Sequence, residues 1–411
     1  MNADIPRARL RLNADHVNAV CKEPLQRADE LNRAPSPDVV LIRDGIAFAI
    51  AKIDQNLLRF GDRFPTPSSV RGSYGVIGNI EWTNGFWTGM LWLAYEMTGD
   101  ARYRRTAESH VASFLQRARE RAHLDHHDLG FLYTLSCVSS YKLTGSSIAR
   151  EAALEAARLL LRRYLPAAGI IQAWGDLSDP AQRGRMIIDC NLNLPLLYWA
   201  TEMTDDACFA NAADRHLEHA AMHLVRADGS TFHTFQMDAE TGAPLGGKTH
   251  QGRSDSSCWA RGQAWGIYGF PLGFRYLRNP QLLRISKRLA NYFLNRLPDD
   301  HVCYWDLDFT SGDQPRDSSA AAIAACGLLE LAGLLPRADT ERHQYEAAAG
   351  VIVGGLVSRY RTARESSESG LLRHAVYHLP NNVGVDESCI WGDYFYFEAL
   401  VRLSRPWTSY W

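Results

Sequence analysis

The chain has 411 residues, of which 46% are hydrophobic and 22% charged, and its formal net charge is −2. This balance is ordinary for a globular enzyme and argues against polyelectrolyte partners, so we expect neither nucleic acid nor an anionic membrane to bind. A single compact core of this length would normally divide into two domains, whereas a ring of helices can grow pair by pair.

The cysteine pattern and the termini favour a reducing compartment. The eight cysteines are scattered, and no two form a Cys-x-x-Cys pair. The sequence has no run of about 18 apolar residues and no apolar segment of a signal peptide near Met1. We therefore expect free thiols in a cytoplasmic protein, present as a monomer or a homodimer.

In chain order, a polar arm over residues 1–38, with Pro35 and Pro37, precedes one predicted domain over 39–411. Helical periodicity then predicts twelve helices. They cover residues 43–59, 84–98, 103–120, 128–144, 149–164, 189–203, 207–225, 257–278, 281–297, 317–334, 340–360 and 389–403.

The predicted helices alternate in character. Odd-numbered ones are amphipathic, as in the ninth, where Leu282, Ile285, Leu289 and Phe293 recur at three- and four-residue steps. Even-numbered ones, such as WTNGFWTGMLWLAY and DSSAAAIAACGLLEL, are apolar all round and rich in small residues. A helix that is apolar on every side is buried on every side. Six half-exposed helices alternating with six buried ones predict an all-α (α/α)6 barrel, a toroid of six helical hairpins.

The lengths of the connections place the functional site. Connections from a buried helix to the next amphipathic one are short, whereas most of the reverse connections are long and include the short predicted strands Gly169–Trp174 and Ser230–Gln236. In a ring of alternating directions, the long connections all meet the N-termini of the inner helices at one mouth. Long loops in a compact domain are usually functional, so we expect the site at that mouth.

Two aspartates open consecutive inner helices at this mouth. Asp128 follows His126-His127, and Asp189 follows Ile187-Ile188. Aspartate is also a favoured N-cap, so a structural role stays open for both, and Asp317 before Ser318-Ser319 fits a capping role best. Two neighbouring carboxylates raise the pKa of one of them, which would make a proton donor available near neutral pH.

Aromatic and polar side chains crowd the same ends of the predicted helices and suggest a pocket that stacks on sugar faces and binds hydroxyls. They are Trp82, Phe86, Trp87, Trp174, Trp265 and Trp391, with His127, His233, His250, Gln251 and Arg261. Arg261 lies in an otherwise uncharged stretch of its predicted helix and needs a partner, either Asp128 or Asp189 or a carboxylate of the substrate.

Two other kinds of site are disfavoured. The segment from His123 to Asp128 contains potential metal ligands, but adjacent residues of one helix cannot all point at one ion, so no metal or other cofactor is expected. The segment from Gly242 to Thr249 matches a phosphate-binding loop literally, yet it contains Pro244 and no helix follows at once.

From about Gly61 to Trp411 the chain resembles glycoside hydrolase family 88, the unsaturated glucuronyl hydrolases. The resemblance rests on ordered blocks, among them EWTNGFWTGMLWLAYE, LDHHDLGFLY, GIIQAWG, MIIDCNLNLPLLYWA, THQGRSDSS, WARGQAWGIYGF, RDSSA and IWGDYFYFEALVRL.

The resemblance implies roles for individual residues. Asp189 corresponds to the general acid and base of the family, and Asp128 to the aspartate of its HHD block. Sugar-contacting positions fall on Trp82, His127, Trp174, His233, Gly247, Thr249, Gln251, Arg261 and Trp265. Members that prefer sulfated substrates carry a Ser-x-x-Ser-x-Lys stretch, which VGVDESCIWG lacks, and Val376 stands where some members have a small polar residue.

The implied reaction is hydration of the C4=C5 double bond of a terminal unsaturated uronic acid on an oligosaccharide left by a polysaccharide lyase. Asp189 would protonate C4 and then accept a proton from the water that adds at C5. Three alternatives remain: an unsaturated rhamnogalacturonyl hydrolase with the same barrel, an (α/α)6 epimerase, and an α-solenoid binding scaffold.

Overall fold

The computed structural model describes residue 12 and residues 14–34 and 38–411. Within these residues, twelve barrel helices follow one another, numbered here α1 to α12. The odd-numbered helices are α1 Val39–Phe60, α3 Ala101–Glu120, α5 Ser147–Leu161, α7 Ala207–His219, α9 Pro280–Leu294 and α11 Glu341–Gly355. The even-numbered ones are α2 Asn84–Thr98, α4 Leu129–Tyr133 continued through a π turn to Ser139–Thr144, α6 Leu194–Thr204, α8 Ala260–Leu277, α10 Ser318–Leu334 and α12 Ile390–Ser404.

The even-numbered helices form an inner ring and the odd-numbered ones an outer ring. Each inner helix contacts the next, and α12 packs against both α1 and α2, so the ring is closed. This closure confirms the predicted (α/α)6 barrel and is incompatible with an open solenoid. None of the helices that the structure describes is long and apolar enough to cross a membrane.

Small residues allow the inner helices to approach closely. Gly130 at the start of α4 is an example, since a Cβ built on it would lie 2.2 Å from the Cα of Asn193, just before α6. Below this contact, aromatic rings fill the centre of the ring. The ring of Trp411 stacks on Phe395 of α12 at 6.1 Å and lies 6.1 Å from Phe131 of α4. The centre of the barrel is therefore packed with side chains.

Those long loops carry the strands, as predicted. Antiparallel pairs form between β1 Phe64–Pro65 and β2 Val76–Ile77, β3 Tyr164–Leu165 and β4 Ile170–Ile171, and β8 Ala375–His378 and β9 Val383–Glu387, while β5 Arg185–Ile187, β6 Thr234–Met237 and β7 Pro244–Lys248 form one sheet. The predicted strands Gly169–Trp174 and Ser230–Gln236 are therefore shorter or shifted, and β7 was not predicted.

The described part of the N-terminal arm lies against the outer ring. It contains two short helices, Ala14–Ala19 and Ala28–Arg33, which contact α9 and α11 respectively. Val17 and Leu31 are buried there, and Glu23 forms an ion pair with Arg296 at 3.0 Å. Pro35 and Pro37 of the predicted arm lie outside the described residues. The arm thus covers two outer helices on the side of the barrel.

The two rings differ in how their helices begin. The first five outer helices have side-chain N-caps, for example Asp100 before α3 and Asp206 before α7, each of which accepts a hydrogen bond from a backbone amide. Among the described inner helices only α10 is capped in this way, by Asp317. Backbone amides at the starts of the other inner helices therefore rely on different partners at the mouth.

Candidate active site

A cavity of about 200 Å³ opens at the mouth of the barrel, among the starts of the inner helices and the long loops. Its walls combine carboxylates, imidazoles, a guanidinium and indole rings. They are Trp82, His127, Asp128, Trp174, Asp189, His233, His250, Gln251, Trp259, Arg261, Trp265, Tyr377 and His378. Nine of the eleven residues that were predicted from the sequence line this cavity.

The two predicted residues outside the cavity wall are Gly247 and Thr249. Gly247 lies in β7 under the ring of Phe232, where a Cβ would come within 2.3 Å of ring carbons. Thr249 uses its hydroxyl to accept a hydrogen bond from the Gly252 amide at 2.8 Å. Both residues shape the loop that carries His250 into the cavity, and their predicted contact with sugar stays a prediction.

Asp128 and Asp189 lie side by side at the bottom of the cavity. A carboxylate oxygen of each and a ring nitrogen of His127 lie within 4.8 Å of one another. His127 Nε2 is 3.4 Å from Asp128 Oδ1 and 3.9 Å from Asp189 Oδ1. The Oδ1 of Asp189 is buried and has no hydrogen-bond partner among the described residues. This arrangement places one carboxyl group where ionisation is unfavourable.

The environment separates the pKa values of the two groups. Burial, and secondly the charge of Asp128, raise the pKa of Asp189 to about 8. Burial also acts to raise the pKa of Asp128, but the nearby His127 ring, a hydrogen bond with His126 and the positive charge of Arg163 outweigh it, so that the pKa falls below its ordinary value. At neutral pH, Asp189 is therefore mostly protonated and Asp128 is ionised, which is the pairing of acid and carboxylate that proton transfer needs.

Neither aspartate acts as a helix cap. Asp128 precedes α4 without a side-chain capping bond, and Asp189 lies inside a short 3-10 turn, Ile188–Leu192. The side chain of Asn193 replaces the missing cap, because its Oδ1 accepts the Phe131 amide at 2.8 Å. Asn193 thus fills the capping role that stayed open for Asp128, and Asp189 caps no helix.

His127 and His233, which lie near the carboxylates, are neutral at physiological pH. Burial lowers the pKa of His127 to about 4 and holds that of His233 well below its ordinary value. His233 Nδ1 accepts two backbone hydrogen bonds, from His250 at 3.0 Å and Gln251 at 3.1 Å, so its proton lies on Nε2. His233 therefore presents a neutral donor, suited to a sugar hydroxyl.

The partner of Arg261 differs from both protein partners that were predicted. Its Nη1 lies 3.3 Å from Asp317 Oδ2, and not beside Asp128 or Asp189. The guanidinium also donates to the carbonyls of Val376 and Tyr377 in β8. Asp317 directly precedes α10, and its other carboxylate oxygen caps that helix. Asp317 therefore has two roles, and its assignment to capping alone was wrong. Nε and one hydrogen on Nη2 have no partner among the described residues.

The predicted aromatic residues fall into two groups, those that line the cavity and those buried behind it. Trp82 and Trp174 lie at the rim, where Trp82 Nε1 donates to the Tyr377 hydroxyl at 3.0 Å and Trp174 contacts His250 at 5.0 Å. Three of the predicted aromatic residues are instead fully buried behind the cavity and do not line it. These are Phe86, Trp87 and Trp391.

Three residues of the cavity were not among the predicted site residues or mouth aromatics. Trp259 precedes α8, and its ring lies tilted over that of His233 with the ring centres 4.2 Å apart. Tyr377 and His378 belong to β8. A tryptophan at the first position before an inner helix was a usable signal for Trp259. Tyr377 and His378 reach the cavity because the hairpin of β8 and β9 packs onto Arg261, a contact that the sequence alone does not reveal.

The carboxylate pair also raises the possibility of a metal ion. His127, Asp128 and Asp189 offer three ligand atoms close enough to share one ion. This set was not foreseen, because the predicted ligands were adjacent residues of one segment. A metal ligand must be deprotonated, so an ion at this set would have to displace the proton that the raised pKa of Asp189 retains.

The segment that matches a phosphate-binding loop does not form one. Residues 244–248 are strand β7, paired with β6, and the next helix begins only at Ala260. A phosphate loop needs a helix N-terminus directly after its glycines. The nucleotide interpretation is therefore excluded.

Comparisons with known proteins agree with this geometry. The family model of Glycosyl Hydrolase Family 88 matches residues 67–376. An unsaturated chondroitin disaccharide hydrolase of Streptococcus pneumoniae is 48% identical over 396 residues, which cover 96% of this chain and 100% of the relative. An unsaturated glucuronyl hydrolase of Bacillus sp. (strain GL1) is 47% identical over 370 residues, 90% of this chain and 98% of the relative.

A solved structure shows the same fold. The crystal structure of an unsaturated glucuronyl hydrolase from Streptococcus agalactiae superposes with a TM-score of 0.93 at 45% identity, and the match covers 95% of this chain and 99% of that one. The chain therefore belongs to glycosyl hydrolase family 88. It is a glycosidase, which excludes the epimerase alternative.

Proposed function

We propose that Asp189 is the general acid and then the general base of this glycosidase, which releases a terminal 4,5-unsaturated glucuronic acid from oligosaccharides. The observation that carries the proposal is the buried carboxyl of Asp189 beside Asp128 at the bottom of the cavity, where burial and the charge of Asp128 raise the pKa of Asp189. The names of the relatives, which match this chain over nearly their full lengths, support glucuronic acid over the rhamnogalacturonyl alternative.

The reaction begins with proton transfer from Asp189 to C4 of the unsaturated sugar. The C4=C5 bond and the ring oxygen form a vinyl ether, so protonation leaves positive charge shared between C5 and that oxygen. Water then adds at C5 and returns its proton to the Asp189 carboxylate. The resulting hemiketal opens to a 5-keto group, and C1 releases the rest of the chain as an alcohol. One residue serves as acid and base in turn.

Asp128 stabilises this cycle electrostatically. Its negative charge favours the protonated form of Asp189 before the reaction and steadies the positive charge that develops at C5. His127 supports it, because a proton on Nε2 would face both carboxylates, while the buried Nδ1 has no hydrogen-bond partner among the described residues. Asp128 thus acts as a fixed charge, not as a second proton donor.

Arg261 is suited to the carboxylate of the unsaturated sugar. Three of its N–H groups are held by Asp317 and β8, which leaves Nε and one hydrogen on Nη2 for a ligand. Its guanidinium lies between the rings of Trp259 and Trp391, at 4.5 and 4.9 Å. A guanidinium that is fixed and already dehydrated binds a planar carboxylate strongly. This contact would orient C4 toward Asp189.

We further propose that the protein works in the cytoplasm as a monomer or a homodimer. All eight cysteines are free thiols, and Cys21 and Cys208 are exposed. Exposed thiols persist in a reducing compartment. Uptake of lyase products would then have to precede their hydrolysis.

The test of the proposed function uses an unsaturated glucuronyl disaccharide in water labelled with ¹⁸O. We expect the ultraviolet absorbance of the conjugated double bond to disappear, and the label to enter C5 of the released uronic acid. In samples quenched before the carbonyl groups exchange with water, neither the alcohol group of the leaving sugar nor C1 of the uronic acid should carry the label. Label at C1 would indicate ordinary attack at the anomeric carbon and would contradict the proposal.

The same assay tests whether a metal takes part. Protein dialysed against a strong chelator should keep its full rate, and added Zn²⁺ should inhibit by displacing the proton from the set formed by His127, Asp128 and Asp189. Loss of activity on dialysis with recovery on adding Zn²⁺ or Ca²⁺ would instead make that set a metal site.

Unsulfated disaccharides are expected to be better substrates than 6-sulfated ones. Sulfate normally needs a fixed cation or several donors, and the β9 segment that lacks the Ser-x-x-Ser-x-Lys stretch carries acids instead. Asp386 pairs with His374 at 2.6 Å, and Glu387 accepts amide hydrogen bonds from Arg71 and Gly72. We expect kcat/KM to be about tenfold or more lower on the 6-sulfated substrate, a difference of roughly 1.4 kcal/mol.

The measurement compares unsulfated, 4-sulfated and 6-sulfated unsaturated disaccharides under identical salt. Salt must be fixed because the charge of the substrate changes between them. Lys248, which is exposed at the end of β7, is a cation of this loop that could compensate. A higher kcat/KM on the 6-sulfated substrate that disappears in Lys248→Ala would refute the prediction and identify the cause.

A further inference from the structure

We propose that Asp317 is a positioning residue for the hydrolysis, because it holds the Arg261 guanidinium in place at the wall of the cavity. Asp317 does not line the cavity and is fully buried. It therefore acts on the substrate only through Arg261. This inference rests on the proposed function, in which Arg261 binds the carboxylate of the sugar.

The two oxygens of Asp317 have separate tasks. Oδ1 accepts from the backbone amides of Ser319 and Ala320, at 3.1 and 3.2 Å, and from the Ser319 hydroxyl. Oδ2 faces Arg261 Nη1 at 3.3 Å. Because the start of α10 fixes the first oxygen, the second is held at a fixed position relative to the inner ring.

The ion pair explains how a guanidinium can remain buried at this site. Arg261 is 2% exposed and Asp317 is not exposed at all. A buried cation without a counter-ion is strongly unfavourable, and the two carbonyls of β8 supply only partial charge. Asp317 is the single carboxylate within ion-pair distance of Arg261 among the described residues. Without it, Arg261 would be expected to shift toward water or toward the carboxylates in the cavity.

The position of Arg261 also matters to Asp189. The charges that act on Asp189 are those of Asp128, which raises its pKa, and Arg261, which lowers it, and His127 lies 3.9 Å away as a neutral ring. Neutralising Asp317 would leave the positive charge of Arg261 uncompensated and free to move closer. Either effect lowers the pKa of Asp189 and removes its proton at a lower pH.

The experiment is Asp317→Asn, since asparagine keeps the helix cap and removes only the charge. We expect KM to rise and kcat to fall by roughly ten- to a hundredfold, as for a displaced binding group. The basic limb of the kcat profile should move to lower pH by roughly half to one unit. Asp206→Asn is the matched control, because Asp206 caps the outer helix α7 without contacting an arginine of the cavity; its profile should be unchanged.

A double-mutant cycle with Arg261→Gln separates the possible outcomes. In that background, Asp317→Asn should add less than about a twofold loss, because its effect passes through Arg261. The double variant has no unpaired buried charge, so it also provides a measurement if the single variant does not fold. An equal loss in both backgrounds, or an unmoved basic limb in Asp317→Asn, would overturn the proposal. If Arg261→Gln itself kept full activity, the proposed role of Arg261 in binding would fail instead.

Discussion

Asp189→Asn is expected to reduce kcat by about 10³–10⁴-fold, because general acid and general base catalysis are lost together. Asparagine preserves the size of the side chain but cannot donate a proton to C4. Substrate binding should change little, since Arg261 and the indole rings are untouched. The measurement is kcat from the absorbance of the double bond, together with the Kd of the disaccharide for the inactive variant.

Stability gives a second expectation for the same variant. An acid whose pKa is raised in the folded state destabilises that state at every pH above its unfolded pKa, because only the unfolded chain ionises freely. Replacing Asp189 with a neutral residue removes this penalty, so the Tm at neutral pH should stay equal or rise.

A variant that retained more than about a tenth of the wild-type kcat would show that Asp189 is not the proton donor.

The matched control for this variant is Asp393→Asn. Asp393 is also a buried acid of an inner helix, and burial raises its pKa to about 7, but it is bonded to Tyr74 and Leu372 away from the cavity. Its replacement should leave the kcat of the folded protein unchanged. Asp317 is unsuitable as a control, because it pairs with Arg261.

Asp128→Asn is expected to lower kcat by about 10²-fold or more, as for the loss of a preorganised charge in an active site. It should also change the pH dependence. The charge of Asp128 raises the pKa of Asp189, so removing it lowers that pKa and the protonated, active form is lost at a lower pH. We expect the basic limb of the kcat profile to move down by roughly one unit.

The pH profile separates this role from a purely structural one. A variant that merely misfolded in part would lose amplitude with its basic limb in place. Asp393→Asn again serves for comparison, and its limb should coincide with that of the wild type. If Asp128→Asn lost activity without any movement of the limb, Asp128 would act by some means other than its charge on Asp189.

The barrel could be predicted from the sequence because its two rings bury their helices differently. Amphipathic helices such as α9 and helices apolar on all sides such as α10 follow one another in alternation, and the bounds observed for both agree closely with those predicted. Strand β7 escaped prediction because Pro244 and its glycines oppose strand formation locally, and the strand depends on pairing with β6. Such pairing is a tertiary effect.

Those site residues that lie at the starts of helices could be predicted from the sequence. Asp128 and Asp189 follow from their place before neighbouring inner helices. The partner of Arg261 could not be predicted in this way, because Asp317 lies 56 residues along the chain and its capping role already accounted for it. Residues with two roles, such as Asp317 with one oxygen for each, are recognised only once the helices are placed beside one another.

The close contact of Gly130 with Asn193 has a consequence for how this enzyme can diversify. The spacing of the two aspartates is set by backbone touching backbone, at the junction of α4 and α6. The surrounding loops can lengthen, shorten or change charge without altering that spacing. Changes in the loops alone can therefore alter which leaving sugar is accepted. Substitutions at the junction of α4 and α6 would instead displace Asp128 and Asp189 relative to each other. The barrel thus fixes the catalytic pair, and the loops determine which substrate is accepted.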